Sequence, residues 1–306
     1  MQCHCGEGRI NYCLTDDLEY VLMQSILGDH IRWISSPSND PITNLAFERW
    51  ALEEDTDNRP LFYCYINSPS VVIGRNQQLF AEVNLPFCDE HGIAICRRVS
   101  GGGTVYHDLG NLNIGLVMPK TLQHVNDYQF FLDWPMQALK KLGMITEVNT
   151  RNAILCQDKK ISGSAQFAGR NKLLTHCTLL VDSNLNHLED SISSPLVTHS
   201  KALPSVRSEV VNMKSFGLSM ESVLDALMTE LQAMFTSVEQ EEVVAEKLQS
   251  HIQLLQSWEW IYGRSPKASI AYNGEEYAVL KGKIAEHGRF QGVAFDQFLR
   301  EDLSRK

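Results

Sequence analysis

Hydrophobic positions change their spacing repeatedly along the chain, and each change predicts an element. Leu45 to Leu52 has helical spacing, with Asn44 placed to cap it and the polar run Glu53 to Arg59, then Pro60, to end it. Leu61 to Ile66 and Val71 to Ile73 are β-rich runs separated by the turn residues Asn67-Ser68-Pro69-Ser70, so they read as adjacent strands. A helix fits Leu79 to His91. Ile93 to Arg97 and Leu112 to Val117 read as strands flanking a glycine loop, and Tyr128 to Leu142 as a helix closed by Gly143. Strand-like pieces recur at Glu147 to Leu155, Lys160 to Ser162 and His176 to Val181.

Beyond Val206, Met220 to Phe235 and Glu241 to Trp260 carry long amphipathic helical patterns, and Ser269 to Glu286 returns to strand and turn. Strands first and helices later, without regular βαβ alternation, predict an α+β fold with mixed sheets. No internal repeat or low-complexity tract is visible. The turn-rich stretch Ser35 to Pro41 suggests an N-terminal extension over 1–35 joined to a main domain that starts at residue 36.

Composition narrows the possibilities. A chain of 306 residues, 43% of them hydrophobic, can bury a sizeable core. The formal charge of -10 argues against a nucleic-acid binder held by phosphate contacts. No apolar run is long enough to span a bilayer, and no signal peptide opens the chain. The start is acidic where a mitochondrial presequence is Arg-rich, so the expected place is the cytoplasm, or the mitochondrial matrix if the source is eukaryotic. Cysteines at 3, 5, 13, 64, 88, 96, 156 and 177, several inside apolar runs, read as reduced buried thiols. Cys3-His4-Cys5 with Cys13 is the metal alternative, but no second pair stands at zinc-ligand spacing.

The chemistry concentrates in Arg97-Arg98-Val99-Ser100-Gly101-Gly102-Gly103-Thr104-Val105-Tyr106-His107-Asp108-Leu109-Gly110-Asn111-Leu112-Asn113. Consecutive glycines permit positive φ and let backbone N–H groups approach a phosphate or carboxylate. A bare Gly-Gly-Gly would be a flexible hairpin. Here two arginines precede it and His-Asp and Gly-Asn-x-Asn follow, between two apolar strands, so polar groups converge on a ligand. The segment is neither a Walker loop nor a dinucleotide fingerprint, since no Lys-Ser or Lys-Thr follows and no helix opens there.

That segment resembles the signature of the lipoate-protein ligase and lipoyltransferase family, within the wider biotin and lipoate ligase fold. Asn44-Leu45-Ala46-Phe47-Glu48 resembles the family's first helix, and Val71-Val72-Ile73-Gly74-Arg75-Asn76-Gln77 its nucleotide-contacting strand and loop. Lys160-Ile161-Ser162-Gly163-Ser164-Ala165 resembles the lysine strand, and His176-Cys177-Thr178-Leu179-Leu180-Val181 the strand after it. Val206-Arg207-Ser208 with Asn212 resembles a later element, and Trp258 to Pro266 the entry to a small accessory domain.

The resemblance implies mixed β-sheets flanked by helices, with 36–240 as a catalytic domain and 241–306 as a short or partial accessory domain. It implies Lys160 as the catalytic residue, its ammonium contacting acyl carbonyl and adenylate phosphate. Lipoyl-AMP or ATP would be bound by Arg75, Arg98, Ser100, Gly101, Gly102, Gly103, Thr104, Val105, Tyr106, His107, Asp108, Asn111, Asn113, Ser162, Gly163, His176 and Thr178, with Arg75 and Arg98 facing phosphate. His107 and Asp108 carry two readings, and orientation of the glycine loop has the larger share. Val71, Ile73, Tyr106 and Ile114 carry two equal readings, as linings of an acyl tunnel, where each buried methylene contributes about 0.8 kcal/mol, or as ordinary core.

The same resemblance implies ATP and Mg2+ for a full ligase, with lipoate or lipoyl-AMP as substrate. Partners would be lipoyl domains of 2-oxoacid dehydrogenase E2 subunits and the glycine-cleavage H protein, met by a monomer, with Lys201, Arg207 and Lys214 as a basic docking face. The family's Arg-Asn-Asp, whose Asp is the expected magnesium contact, reads Arg151-Asn152-Ala153 here, so the metal ligands stay unknown. Alternatives to the ligase therefore stay open: a lipoyltransferase using preformed lipoyl-AMP, an octanoyltransferase using one of Cys96, Cys156 and Cys177, or a silent carrier- or ligand-binding module.

Overall fold

A computed structural model describes residues 23–192, 196–286 and 288–303. Cys3, His4, Cys5 and Cys13 lie outside the described residues, and the zinc alternative with them.

In chain order the strands are β1 (His30–Ser35), β2 (Leu61–Ile66), β3 (Ser70–Ile73), β4 (Ala94–Arg97), β5 (Val105–His107), β6 (Asn111–Pro119), β7 (Glu147–Val148) and β8 (Ile154–Cys156). They continue with β9 (Lys159–Lys160), β10 (Ser164–Ala168), β11 (Lys172–Leu180), β12 (Val197–Ser200), β13 (Ser237–Glu241), β14 (Ala268–Tyr272), β15 (Glu275–Leu280) and β16 (Lys283–Glu286). The helices that matter below are α1 (Pro41–Glu53), α2 (Leu79–Glu82), α3 (Leu85–Glu90), α4 (Gln129–Lys141), α5 (Leu185–Ser191), α6 (Met220–Met234), α7 (Gln249–Leu255), α8 (Trp258–Ile261) and α9 (Phe295–Leu303).

The main sheet runs β10-β11-β6-β2-β1-β13. Its first four strands are antiparallel to one another, while β1 is parallel to both β2 and β13. This is the mixed α+β architecture expected. Period-two alternation divides its two faces. Phe62 and Cys64 turn to a core with Trp134 of α4 and Leu227 and Leu231 of α6, whereas Tyr63 and Tyr65 turn to α1 and the small sheet β4-β3-β5. Trp134 meets Phe62 edge-on at 5.0 Å and donates Nε1–H to the Leu227 carbonyl at 3.0 Å.

Several expectations need correction. The cap of α1 is Asp40, which accepts from the Thr43 backbone N–H at 2.8 Å with Pro41 in the first turn. Asn44 lies one turn inside, buried, and its side chain bonds Ser36, Ser38 and Asn67. The helix expected over 79–91 is two short ones, α2 and α3, because Asn84 caps a new start and Pro86 in its first turn has no N–H to continue the old one. The pattern from Glu241 to Trp260 is helical only from residue 249, after the end of β13 and a 3-10 turn over Ala245–Leu248.

The expected boundary at residue 35 also moves. β1 sits between β2 and β13, so His30–Ser35 is part of the main sheet. At the other end, β12 joins β14, β15 and β16 in one sheet, and Phe295 of α9 packs on Phe80 of α2 at 5.1 Å. The C-terminal part therefore shares a core with the main domain.

Candidate active site

A cavity of about 330 Å³ opens between the glycine loop, the lysine strand β9, the start of β10 and the segment around Ser205. Arg98, Gly102, Gly103, Thr104, Val105, His107, Asn113, Lys160, Gly163, His176 and Thr178 all lie on its wall, so the structure gathers these expected residues from distant stretches. Ser100, Gly101, Tyr106, Asp108, Asn111, Ser162 and Arg75 do not line it.

Each glycine of the loop has its own reason. Gly102 adopts φ +87°, a conformation that L side chains rarely take. A Cβ at Gly103 would stand 3.1 Å from Ser205 Oγ, and a Cβ at neighbouring Gly74 only 2.1 Å from the Gly102 carbonyl oxygen. The backbone N–H groups of Gly101, Gly102 and Gly103 meet no acceptor among the described residues. The loop is thus a set of open donors, suited to an anion.

Arg98 holds that loop. Its Nε–H goes to Ser100 Oγ at 3.0 Å, and its remaining amino groups reach the carbonyls of Val72, Gly101 and Gly103 at 3.0, 2.6 and 2.7 Å. Four of its five N–H donors are therefore committed to holding the loop, which leaves one N–H of this wall residue for a ligand. Burial lowers its pKa to about 10, still charged near neutral pH. Arg75 departs from expectation: its guanidinium lies over the Phe167 ring at 4.9 Å.

Beneath the loop lies a buried relay. Ser100 Oγ is 2.8 Å from His176 Nε2, whose Nδ1 is 2.8 Å from Glu48 Oε1. The same carboxylate oxygen accepts from the hydroxyls of Tyr63 and Tyr65 at 2.7 and 2.9 Å. Gly115 makes this possible, because a Cβ there would meet the Tyr63 ring at 2.2 Å. Burial alone would raise the Glu48 pKa, but the His176 partner and the two tyrosine hydroxyls outweigh it and hold the carboxyl below its ordinary value.

A pH dependence follows from that sign. Glu48 contributes stability above its unfolded pKa, and this is lost as pH falls through the depressed folded value. Urea midpoints should therefore drop on acidification below about pH 4.5, and Glu48→Gln should lack that component. Parallel pH profiles for the two proteins would contradict this assignment.

Lys160 is half-buried at the other side of the cavity. Its main chain is fixed by Lys160 N–H to the Glu209 carbonyl at 2.9 Å and Val211 N–H to the Lys160 carbonyl at 3.0 Å. Gly163 leaves room for the ammonium, since a Cβ there would stand 3.1 Å from Nζ. Burial first, then Arg151 and Arg98, lower its pKa. Arg98, Arg151 and Lys160 line the cavity together, and no carboxylate does. The lysine next to it behaves differently: Lys159 pairs with Glu209 at 2.6 Å.

Of the two readings of Val71, Ile73, Tyr106 and Ile114, the structure gives the packed core; Val72, itself part of that core, and Val105 also line the cavity. Alternation along β3 turns Val72 inward and its neighbours away. Asp108 is structural, accepting from the Gly110 and Asn184 backbone N–H groups at 2.9 and 2.7 Å. Of the expected docking face, Lys214 is engaged with Asp182 at 2.6 Å. Cys177 reaches the wall, but burial pushes its thiol up to about 12, which removes the thiolate that a nucleophile needs.

Sequence reasoning missed some of the wall. Leu45, Tyr65, Tyr128, Asn149 and Ser205 carry no local signal of ligand contact. Ser205 is a latch: its Oγ accepts from the Thr104 backbone N–H at 2.8 Å and from Gln77 Nε2 at 3.0 Å, and it donates to Glu82. The strand-like piece expected over Glu147 to Leu155 is interrupted between β7 and β8 by a turn over 149–153, where Asn149 Oδ1 accepts from the backbone N–H groups of Arg151 and Ala153.

Residues 40–232 match the lipoyl protein ligase A/B catalytic domain. The chain belongs to this family of ligase-type enzymes. Lipoate-protein ligase LplJ of Bacillus subtilis is 33% identical over 282 residues, covering 83% of each chain. Lipoyl amidotransferase LIPT1, mitochondrial, of Mus musculus is 34% identical over 252 residues, covering 78% of this chain and 66% of its own. Among solved structures, lipoate-protein ligase A bound with ATP superposes with a TM-score of 0.62 at 25% identity, covering 73% of this chain and 93% of that one. The fold is that of the lipoate ligases.

One substitution probes the loop in this family frame. Gly74→Ala must move the Gly102 carbonyl, and displacements near 1 Å in such sites cost up to ~100-fold. Affinity for a lipoyl-AMP analogue, measured by calorimetry, should fall at least about tenfold. An unchanged constant would mean that the loop does not set the site.

Proposed function

We propose that this chain attaches lipoate to protein lysines, holding it as the adenylate and passing the lipoyl group to lipoyl domains of 2-oxoacid dehydrogenase E2 subunits and the glycine-cleavage H protein. ATP would supply the adenylate. The observation that carries this reading is the cavity wall, where Arg98, Arg151, Lys160 and the open amides of Gly102 and Gly103 line a space of about 330 Å³ without a carboxylate. The enzyme acts as a monomer in the cytoplasm, or in the matrix of a eukaryotic source. Among the described residues, no helix is long and apolar enough to cross a membrane.

In the transfer step the acceptor amine attacks the acyl carbon. A C–N bond forms, the C–O bond to phosphate breaks, AMP leaves, and the amine gives up its proton to solvent. Charge builds on the carbonyl oxygen and on the departing phosphate. The Lys160 ammonium stabilises both and the loop amides hold the phosphate or carboxyl oxygen.

A second reading is favoured by Ala153. Its methyl group stands on the cavity wall where the family resemblance places a carboxylate, and no cluster of His, Cys, Asp or Glu able to hold a metal occurs among the described residues. These residues do not fit magnesium, which needs hard oxygen ligands. Transfer from preformed lipoyl-AMP needs no such ion. An octanoyl thioester route has less support, given the Cys177 thiol.

A mass-shift assay on a lipoyl domain tests these together, with ATP and lipoate in one arm and lipoyl-AMP in the other. Modification in both arms supports the ligase. Modification with lipoyl-AMP alone supports the transferase. No modification in either arm overturns the proposal.

A further inference from the structure

His107 stands on the cavity wall with a buried ring nitrogen, Nε2, that meets no partner among the described residues. The hydrogen bonds behind it fix which nitrogen carries the hydrogen. The Ser38 backbone carbonyl can only accept, so the atom of Asn44 lying 2.8 Å from it is the amino group. That amino group is also 2.8 Å from Asn67, which therefore presents its oxygen there. Asn67 then turns its own amino group to His107 Nδ1, at 3.0 Å. A nitrogen facing an amino donor must accept. Nδ1 is bare, and the hydrogen of the neutral ring sits on Nε2. Burial and the nearby Arg98 charge keep the ring neutral, its pKa down at about 3.

The position of this donor matters. Lys160 and Gly163 mark one end of the cavity, beside β10 and β11. The sheet then steps through β6 to β2, and Asn67 directly follows β2. Lys160 on β9 and His107 on β5 thus reach the wall from different sheets, on opposite sides of the β11 and β6 residues His176, Thr178 and Asn113. An acyl group whose carboxyl end sits at Lys160 extends its tail toward His107, Tyr65 and Val72.

A buried donor without an acceptor is costly unless the ligand brings one. A plain octanoyl tail brings none. A dithiolane tail brings two sulfurs, which are weak acceptors. We infer that His107 is a specificity-determining residue that favours lipoyl over octanoyl substrates by donating Nε2–H to a ring sulfur. This rests on the acyl-adenylate reading above.

Two measurements test it on the whole chain. In the wild-type protein labelled with 15N-histidine, His107 should show the Nε2–H tautomer, and its Nε2 resonance should move on adding lipoate and stay on adding octanoate. By calorimetry lipoate should bind more tightly than octanoate, and His107→Leu should weaken lipoate roughly three- to tenfold while octanoate stays within about twofold. His107→Gln keeps a donor and should retain most of the preference. An Nδ1–H tautomer, equal resonance movement with both acids, or equal weakening of both in His107→Leu overturns the inference. Where both acids bind and are transferred alike, only the selectivity falls. Where neither binds and no lipoyl domain is acylated by lipoyl-AMP, the functional reading falls with it. Should His107→Leu not fold, the resonances of the wild-type protein decide.

Discussion

Lys160→Ala is expected to lower acyl transfer from lipoyl-AMP by about a hundred- to a thousandfold while leaving the urea midpoint nearly unchanged, because it removes one charge aimed at the developing oxyanion. The stability half of that expectation comes from geometry. Lys160 holds its strand through main-chain bonds to Glu209 and Val211, which alanine keeps. Its ammonium, seated against Gly163, meets no carboxylate partner among the described residues.

Lys160→Arg should not restore the rate. A planar guanidinium is bulkier than the ammonium that already lies close to Gly163, and Arg98 and Arg151 repel a cation there. Single-turnover transfer to a lipoyl domain reads the effect. Transfer within threefold of wild type for Lys160→Ala, against the hundredfold expected from losing such a donor, would sink the assignment.

The parts of the site that were legible in the sequence are those where one residue type can serve only a few purposes. Gly102 needs its positive φ, and Gly74 must let a carbonyl oxygen approach. Lys160 was visible because Ile-Ser-Gly-Ser-Ala follows it, and Gly163 proves to be the residue that makes its space. Asn44 was noticed for the wrong reason. Helix-capping chemistry and a buried amide network use the same side chain, and only the tertiary contact with Asn67 separates them.

What the sequence did not show depends on pairs far apart in the chain. The relay from Glu48 to His176 spans 128 positions, and the latch from Ser205 to Glu82 spans 123. Neither end has a local pattern. Tunnel and core stayed undivided for Val71 and Ile73 for a simpler reason: alternation along β3 makes neighbours face opposite ways, and choosing Val72 over them requires knowing which face is covered. The helix expected from Glu241 shows the opposite error, where apolar spacing ran on through Val243 and Val244 although the described chain there is not helical.

Arg97→Leu should be among the most destabilising single changes in the protein, lowering stability by more than about 4 kcal/mol in urea titration. Arg97 was expected, with Arg98, to lend charge to the loop, yet it is fully buried and does not line the cavity. Its guanidinium donates to the carbonyls of Ile261, Gly74, Arg75 and Gln77 at 2.9, 3.0, 3.2 and 2.9 Å, and to Ser265 Oγ at 3.0 Å. Leucine would leave the Ile261, Arg75 and Gln77 carbonyls without this partner in the interior, at about 1–3 kcal/mol each, while the Gly74 carbonyl keeps the Gln77 N–H and Ser265 Oγ the Leu79 N–H.

Burial and the neighbouring Arg264 and Arg98 already lower the Arg97 pKa to about 9, so the structure bears the cost of this cation to gain its geometry. The Arg97 main chain adds to that geometry: its carbonyl accepts from Trp260 Nε1 at 2.7 Å. Arg97 therefore ties the turn before α2 to the segment from Trp260 to Ser265, and so joins the C-terminal part to the support of the glycine loop. Arg97→Lys keeps the charge but offers three donors in place of a planar fork, and should recover only part of the stability. A urea midpoint for Arg97→Leu close to wild type would show that water or neighbouring groups replace the arginine, and the coupling assigned to it would fail.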